Sequence, residues 1–183
     1  MTPACERLSI ALTALAVLSP AAAHAQRLEI EGAAGFGGVP DIATVASDPV
    51  FAVRAGLDLW GFFAPGVRLT GVVGRARRDP VSGALADRAW TLLAEARFHT
   101  PGRVQAVLDL GLGAGRLIRR QDEPELAFQI GAGIRGFITP EVAIGGGMAV
   151  PVWTQTREFP QSPTAAPKGG YLFWVNVAVL FGH

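Results

Sequence analysis

The sequence Tyr171-Leu172-Phe173-Trp174-Val175-Asn176-Val177-Ala178-Val179-Leu180-Phe181 indicates the fold of the whole chain. Every odd-numbered position in it is apolar, with aromatic residues at both ends and valines between them. The even-numbered positions are mixed and carry the polar Asn176 at their centre. Because side chains of a β-strand alternate between its two faces, one whole face of this strand is apolar. Such a strand is typical of a barrel wall that has lipid outside and a crowded interior inside.

Seven earlier segments alternate between apolar and polar or small residues in the same way. They span 27–38, 50–63, 67–76, 88–98, 104–116, 126–138 and 142–152. The connections after the odd-numbered strands are about 7 to 17 residues long, and those after the even-numbered strands are about 3 to 5, an asymmetry typical of outer-membrane barrels. The sequence therefore predicts an all-β fold, an eight-stranded antiparallel up-and-down transmembrane β-barrel.

Three tight turns are predicted at one end of this barrel. They are Ala64-Pro65-Gly66, His99-Thr100-Pro101-Gly102 and Thr139-Pro140-Glu141. Proline and glycine favour chain reversal at such positions. All three lie in a shared pattern, F-x-[A/T]-P, at 62–65, 98–101 and 137–140. The repeat predicts that each hairpin is a copy of the preceding one.

The composition limits the classes of protein to which the chain belongs. Half of the residues are hydrophobic, 17% are charged, 23 are glycine and the formal net charge is +1. Such a chain is neither intrinsically disordered nor a basic nucleic-acid binder, so no nucleic-acid partner is expected. No later stretch supplies the roughly 18 uninterrupted apolar residues that a transmembrane helix needs.

Residues 1–25 have the pattern of a secretory signal peptide. An apolar run from Leu8 to Leu18 is followed by the small-residue cleavage site Ala23-His24-Ala25. We predict cleavage before Gln26, which leaves residues 26–183 as a single barrel domain.

The apolar face of the predicted barrel carries its aromatic residues near the strand ends. These residues are Phe36, Phe51, Phe63, Trp90, Phe98, Phe128, Tyr171, Phe173 and Phe181. Aromatic girdles at both ends of the strands are typical of a barrel that crosses a membrane, so we predict that the apolar face points outward. The alternative is a secreted soluble barrel of the lipocalin type, whose apolar face would point inward around a hydrophobic ligand.

The opposite face carries charges of both signs among small residues. These charged residues are Glu29, Glu31, Arg54, Asp58, Arg68, Glu95, Arg97, Asp109 and Arg135. Five acids against four arginines leave about one excess negative charge, which a protonated carboxyl group or water would absorb. An eight-stranded barrel has just enough room for side chains, so mutual pairing of these groups would plug it. The alternative is a narrow channel with a continuous water path.

The chain resembles the small OmpA/OmpX-type outer-membrane barrels, including opacity-like and adhesion-related ones. The resemblance rests on the signal sequence, the eight alternating strands, the unequal connections, the aromatic girdles and the aromatic final strand. The resemblance implies an integral protein of a Gram-negative outer membrane, with periplasmic termini, in contact with lipids and lipopolysaccharide. It implies a non-enzymatic structural or surface-interaction role. It also implies that barrel-insertion machinery recognises a terminal aromatic residue. Here Phe181 is followed by Gly182-His183, a departure from that pattern.

Residues suited to covalent catalysis are few and lie apart. His99 and His183 fall at the predicted turn end, whereas the mature serines fall in loops at the other end: Ser47, Ser82 and Ser162. The sequence therefore predicts no Ser/His/acid site and no enzyme. The only cysteine, Cys5, precedes the cleavage site, which excludes disulfides and cysteine-based metal sites from the mature chain. No cofactor and no metal are expected.

Arginines gather in two segments at the predicted external rim. They are Arg75, Arg77, Arg78, Arg88, Arg116, Arg119 and Arg120. A guanidinium group binds phosphate through a bidentate fork, and lipopolysaccharide displays phosphates at this level. We expect these arginines to contact lipopolysaccharide, with solvated loop charges as the alternative. The long polar loop Thr154 to Gly170 would meet any surface partner.

Overall fold

The computed structural model describes residues 27–38, 48–78, 85–116, 124–154 and 168–182. The strands in these segments are β1 (Arg27–Gly38), β2 (Asp48–Asp58), β3 (Phe63–Arg78), β4 (Leu85–His99), β5 (Val104–Arg116), β6 (Glu125–Phe137), β7 (Val142–Trp153), β8 (Lys168–Gly169) and β9 (Tyr171–Phe181). None of the described segments forms a helix long and apolar enough to cross a membrane. The predicted signal peptide, with Cys5 and the cleavage site, lies outside the described residues.

The strands close into a barrel. From β1 to β7 each strand pairs with the next one along the chain, and β9 lies between β7 and β1. Every pairing is antiparallel, and the register joins Leu28 of β1 to Phe181 of β9, the two ends of the described wall. The eight long strands thus confirm the predicted fold class, an eight-stranded antiparallel barrel.

β8 and β9 are two parts of one wall strand, interrupted at a proline. The pairs Val152↔Gly169 and Ala149↔Leu172 have the same register, and Gly170 faces Pro151 between them. The Gly170 amide donates to the Pro151 carbonyl at 2.8 Å, but proline has no N–H to return. The predicted loop 154–170 therefore ends earlier than expected, because Lys168 and Gly169 already belong to the wall.

Three short connections lie at one end of the barrel, which we call the turn end. They span 59–62, 100–103 and 138–141. The opposite end, reached by the connections 39–47, 79–84, 117–124 and 154–167, is called the loop end. The predicted asymmetry between short and long connections is present.

The first predicted turn, Ala64-Pro65-Gly66, is wrong. The chain reverses instead at Trp60 and Gly61, whose φ angles are +58° and +68°, and Leu59 and Phe63 exchange backbone hydrogen bonds across that turn. Sequence reasoning missed the position because a tryptophan rarely adopts a positive φ.

Ala64-Pro65-Gly66 lies inside β3. The ladder to β2 is interrupted beyond Gly56↔Gly66, next to a proline that has no donor, and the Arg54 side chain donates to the Ala64 carbonyl instead. The predicted hairpin copies are therefore wrong too. The F-x-[A/T]-P pattern begins inside the turn in its first occurrence, but at the end of β4 and of β6 in the other two.

The β3–β4 hairpin is longer than predicted. The sequence pattern predicts strands 67–76 and 88–98 with a basic loop, 75–87, at their junction, but most of that loop is strand, because β3 continues to Arg78 and β4 begins at Leu85. The register shifts between Val73 and Arg77, which marks a β-bulge. Clustered arginines and the bulge together hide the period-two pattern in this segment. β2 also differs from its prediction, since it begins at Asp48 and ends at Asp58.

The two faces of the barrel wall have opposite chemistry. Along β1 and β2, apolar side chains such as Ile30 and Val53 are 43% and 58% exposed, whereas their neighbours Glu29 and Arg54 are 0% and 1% exposed. This arrangement is the reverse of a soluble protein, in which charged residues are almost never fully buried unless they are paired. It follows that the functional chemistry inside the wall is polar.

Candidate functional site

Eight of the nine predicted interior charges form one connected group, here called the interior charge cluster. Its members are Glu29, Glu31, Arg54, Arg68, Glu95, Arg97, Asp109 and Arg135, each at most 4% exposed. They lie on the six consecutive strands β1 to β6. Paired residues of neighbouring strands point to the same face of the wall, so the inward-pointing side chains of these strands are neighbours. Four carboxylates and four guanidinium groups leave the cluster with no net charge.

Arg97 has the largest number of carboxylate partners in the cluster. Its Nη1 lies 2.6 Å from Glu29 Oε1 and 2.6 Å from Glu31 Oε2. Its Nε donates to Asp109 Oδ1 at 2.8 Å. One guanidinium group thus joins β1 to the neighbouring strands β4 and β5 across the barrel, and buried charges tolerate desolvation only when they are paired in this way.

Two other arginines share Glu95. Arg54 Nε lies 2.5 Å from one oxygen of Glu95, and Arg68 Nε lies 2.6 Å from the other. Arg54 also reaches Glu29, at 2.8 Å, and Arg135 binds the second oxygen of Glu29 at 2.6 Å. Each carboxylate of this chain of contacts therefore bridges at least two arginines, which links the pairs into a continuous network.

The ninth predicted member, Asp58, lies apart from the cluster. Its carboxylate accepts from, or lies beside, His99 Nε2 at 3.2 Å, and both residues end their strands at the turn end. The sequence predicts one excess negative charge inside the barrel. The structure accounts for it, because Asp58 lies outside the cluster and pairs with His99. Sequence reasoning placed His99 in a turn, but it is buried, and its position two residues after Arg97 puts it on the inward face.

An apolar layer lies in the loop-end half of the interior, among buried polar residues such as Thr91 and Gln129. Val50, Ala149, Leu172 and Trp174 form a buried cluster, and Trp153 is only 2% exposed. The Arg68 guanidinium lies 5.2 Å from the centre of the Trp174 ring, so the apolar layer rests directly on the charge cluster. Two cavities of about 10 Å³, one beside each layer, have room for about one water molecule each. Sequence reasoning did not single out the interior tryptophans.

Aromatic rings lie on the outward face at both ends of the wall. At the loop end Phe36 and Phe173 have ring centroids 5.3 Å apart, and at the turn end Phe63 and Phe98 are 5.2 Å apart. The other predicted girdle residues also take outward-facing positions: Phe51, Trp90, Phe128, Tyr171 and Phe181. Trp60 and Phe62, which the sequence analysis missed, add to the turn-end group because the turn lies at 59–62.

No catalytic geometry is present among the residues that the structure describes. His99 is buried and bonded through its two ring nitrogens to Asp58 and to the Thr100 carbonyl. Ser47, Ser82, Ser162 and His183 all lie outside the described residues. Within those residues no group of three or more acidic, histidine or cysteine side chains could hold a metal ion.

The predicted rim arginines belong to neighbouring strands. Arg75, Arg77 and Arg78 occupy the loop-end part of β3, Arg88 lies in β4, and Arg116 is the last residue of β5. Arg119 and Arg120 lie outside the described residues. The sheet order therefore brings five of the seven positions to one sector of the loop end.

No protein-family model matches the sequence, and no curated protein matches it either. The fold is similar to that of Neisserial surface protein A (NspA), with a TM-score of 0.56 and 15% identity, over 85% of this chain and 97% of that one. It is also similar to Ail, the attachment invasion locus protein of Yersinia pestis. Ail alone gives a TM-score of 0.51, and Ail in complex with the heparin analogue sucrose octasulfate gives 0.52. Both Ail structures are 15% identical over 85% of this chain and 97% of theirs.

These similarities concern the fold. The chain has the eight-stranded barrel fold of the small OmpA/OmpX-type barrels, which confirms the resemblance drawn from the sequence.

Proposed function

We propose that this protein is an integral, non-enzymatic protein of a bacterial outer membrane with a structural or surface-interaction role. One observation carries the proposal: the outward face is apolar and exposed, whereas the inward face is charged and buried. The fold similarity to barrels of bacterial outer membranes supports the same location.

The outward face supplies what a bilayer requires of a wall. Every backbone polar group must be satisfied inside the wall, which a closed barrel achieves by pairing each strand on both sides. Outward residues near mid-wall, such as Leu69, Ile130 and Val175, are 52%, 53% and 68% exposed. In water this exposure would be unfavourable by roughly 25 cal/mol per Å² of apolar area, so lipid is the solvent that fits the surface.

The soluble alternative requires the opposite arrangement. A lipocalin-type barrel would hold its ligand in an apolar interior, but here the interior contains the charge cluster and a packed apolar layer. Its largest buried side chains include four arginines and two glutamates. The cavities beside these two layers in the described part of the chain have volumes of about 10 Å³ each, which is too small for a hydrophobic ligand.

Refolding from urea tests the membrane proposal. The chain is diluted in parallel into detergent micelles and into plain buffer, and strand content is measured by circular dichroism. We expect strand signal in micelles and aggregation in buffer. A soluble, monomeric, strand-rich product in buffer would overturn the proposal.

The interior acts as a plug in this proposal. The charge cluster and the apolar layer are adjacent along the barrel axis, where Arg68 of the cluster lies beside Trp174 of the layer, and the contact between Arg135 of β6 and Glu29 of β1 crosses the lumen. A charge-neutral cluster in which every carboxylate contacts at least two arginines offers a passing cation no free carboxylate. The structural role of the cluster is to hold the strands in register, because each arginine links at least two strands.

Contact with lipopolysaccharide is a second proposed activity of the same barrel. It rests on the five arginine positions that neighbouring strands bring to one sector of the loop end. Ail was solved with a heparin analogue, sucrose octasulfate, which is a polyanion of related charge. Lipopolysaccharide phosphates at the external rim are the polyanion that this location would supply.

Alanine substitution tests the rim arginines. The variant Arg77→Ala, Arg78→Ala, Arg119→Ala, Arg120→Ala is compared with the control Arg157→Ala, Lys168→Ala, which removes positive charges outside the arginine sector. We expect the first variant to bind lipopolysaccharide in detergent about tenfold more weakly, and the second to bind it as the parent does. Unchanged lipopolysaccharide binding by the variant with four arginine substitutions would contradict this proposed contact.

Recognition by the barrel-insertion machinery is proposed for the end of β9. The ring of Phe181 is 50% exposed on the outward face, beside the first strand, and is accessible before the barrel closes. Deletion of Phe181, Gly182 and His183 should reduce membrane assembly in cells, measured by the amount of heat-modifiable barrel. Normal assembly of the shortened chain would contradict this role.

A further inference from the structure

The three tight turns surround a cavity of about 370 Å³ at the turn end of the barrel. Each turn contributes a lining residue, Gly61, Gly102 and Thr139 respectively. The cavity lies on the other side of the charge cluster from the apolar layer, and neither the barrel wall nor the plug requires it. Its chemistry therefore calls for a separate explanation.

One buried amide faces this cavity with unused donors. Gln105 is 6% exposed, and its Oε1 accepts a hydrogen bond from Arg135 Nε at 2.7 Å, which fixes the orientation of the amide. The Nε2 group of Gln105 keeps two N–H donors, and the described residues supply no acceptor for them. The Nε2 atom is not among the fully buried polar atoms that lack a partner, so it is reached from the cavity and is available there to a solute or to water.

Two guanidinium groups complete the donor set. Arg103 lines the cavity from the 100–103 turn, and the described residues give its side chain no partner. Arg27 makes one long contact, 3.3 Å from Nη1 to the Pro140 carbonyl, and its remaining N–H groups are available. Among the described lining residues the only carboxylate is that of Asp58, which is bound to His99. Two arginines against one aspartate leave one net positive charge, before any charge on His99 is counted.

We propose that this cavity is a binding site for a small anion, a carboxylate or phosphate group carried by a solute or by a peptide. A guanidinium fork matches two oxygens of either group, and the Gln105 amide would donate to one of them. Phe137 and Leu180 also line the cavity, so an apolar part of the anion's carrier has a surface to contact. The site goes beyond the proposed membrane role, and it does not depend on which compartment the turn end faces.

Calorimetry on the protein purified in nonionic detergent tests this site, at constant ionic strength. The probes are inorganic phosphate, acetate and N-acetyl-alanyl-alanine. We expect saturable binding of at least one probe. A higher affinity for phosphate than for the peptide would assign free phosphate as the source, and the reverse order would assign a peptide carboxylate. Absence of saturable binding by all three probes would overturn the proposal.

Variants locate the binding. Arg103→Gln, in an exposed turn, should raise the Kd about tenfold, the loss expected for one charge-assisted fork. Gln105→Glu keeps the acceptor for Arg135 Nε but replaces the donor with a carboxylate oxygen, and it should abolish binding. Arg157→Gln removes the same charge in the connection 154–167, at the loop end, and is the matched control. An equal loss in the control would show that the anion binds elsewhere and would overturn the assignment.

Discussion

Arg97 shows how single residues hold the interior together. Its guanidinium group contacts carboxylates of β1 and β5 at 2.6 to 2.8 Å. Replacing it with methionine would leave the cluster with four carboxylates against three arginines. Removal of one partner from a buried pair typically costs about 3 to 5 kcal/mol, so we expect Arg97→Met to lower the free energy of unfolding by that amount. Urea titration in lipid vesicles measures it.

The matched control for Arg97→Met restores the charge balance. In the double variant Arg97→Met, Glu31→Gln, three carboxylates face three arginines, although Arg68 also loses one charged partner. We expect the double variant to be more stable than the sum of the two single losses, because the second substitution removes a charge that the first one left unpaired. Additive losses would mean that the contacts act independently and not as one network.

Val177 tests the outward face at the same scale. It lies near the middle of β9, outward-facing and 48% exposed, opposite Gly32 and Ile144 of the flanking strands. An arginine on the lipid face costs about 2 to 4 kcal/mol at the bilayer midplane and about 0 to 1 near an interface. We therefore expect Val177→Arg to destabilise the folded barrel by the larger amount. Ile138→Arg, in a turn and 66% exposed, should change the stability little. Equal effects would contradict the membrane orientation.

At the scale of elements, the turn at 59–62 offers a clean test of backbone strain. Gly61 has a φ of +68°, and a Cβ added there would meet no atom within 4 Å. Any loss in Gly61→Ala must therefore come from the left-handed backbone, which costs a residue with a Cβ about 1 to 2 kcal/mol. We expect the variant to lose about 1 kcal/mol in a urea titration.

Gly71 of β3 provides the control for Gly61. A Cβ at Gly71 also meets nothing within 4 Å, but its backbone is extended. Gly71→Ala should be neutral or slightly stabilising, because glycine in a strand costs about 0.5 to 1 kcal/mol relative to alanine. If the two alanine variants behaved alike, the positive φ at Gly61 would not matter for stability.

The elements that sequence predicted well are those with uninterrupted alternation. The bounds of β1, β5 and the long closing strand β9 agree with the pattern to the residue. The wrong strand and turn bounds lie where a backbone irregularity interrupts the alternation of apolar and polar residues. Trp60 adopts a positive φ that its residue type disfavours, and a bulge shifts the register of β3 after Val73. Pro151 of β7 faces the break between β8 and β9. The alternation of side chains along 168–181 does not indicate this break, because it depends on the residue across the sheet.

The interior was predictable in kind but not in arrangement. All nine charges were expected on the inward face, since strand parity alone fixes a residue's side of the wall. Parity does not fix height along the axis, which depends on the register of every pair. Asp58 therefore lies with His99 and not with the other acids. Trp153 and Trp174 were not recognised as the apolar layer, because the aromatic residues had been interpreted as outward girdles.

At the scale of the whole molecule, the barrel has three consecutive zones along its axis. The loop-end half contains the apolar layer around Trp174, the middle holds the neutral charge cluster, and the turn end opens into the cavity lined by Gln105 and Arg103. In the proposed plug, the two inner zones would close the lumen in different ways, one by apolar packing and the other by paired charges. Either closure should be sufficient without the other.

Conductance across a planar bilayer tests this double closure. The parent barrel should be silent, because an eight-stranded wall leaves room only for side chains and both zones fill it. Trp153→Ala, Trp174→Ala empties much of the apolar layer, yet we expect it to be silent too. An ion passing the remaining zone would have to separate buried pairs such as Arg97 and Glu31, 2.6 Å apart. A wide porin in the same bilayer is the positive control. Steady current steps from the parent would restore the channel alternative, and steps from the tryptophan variant alone would assign closure to the apolar layer.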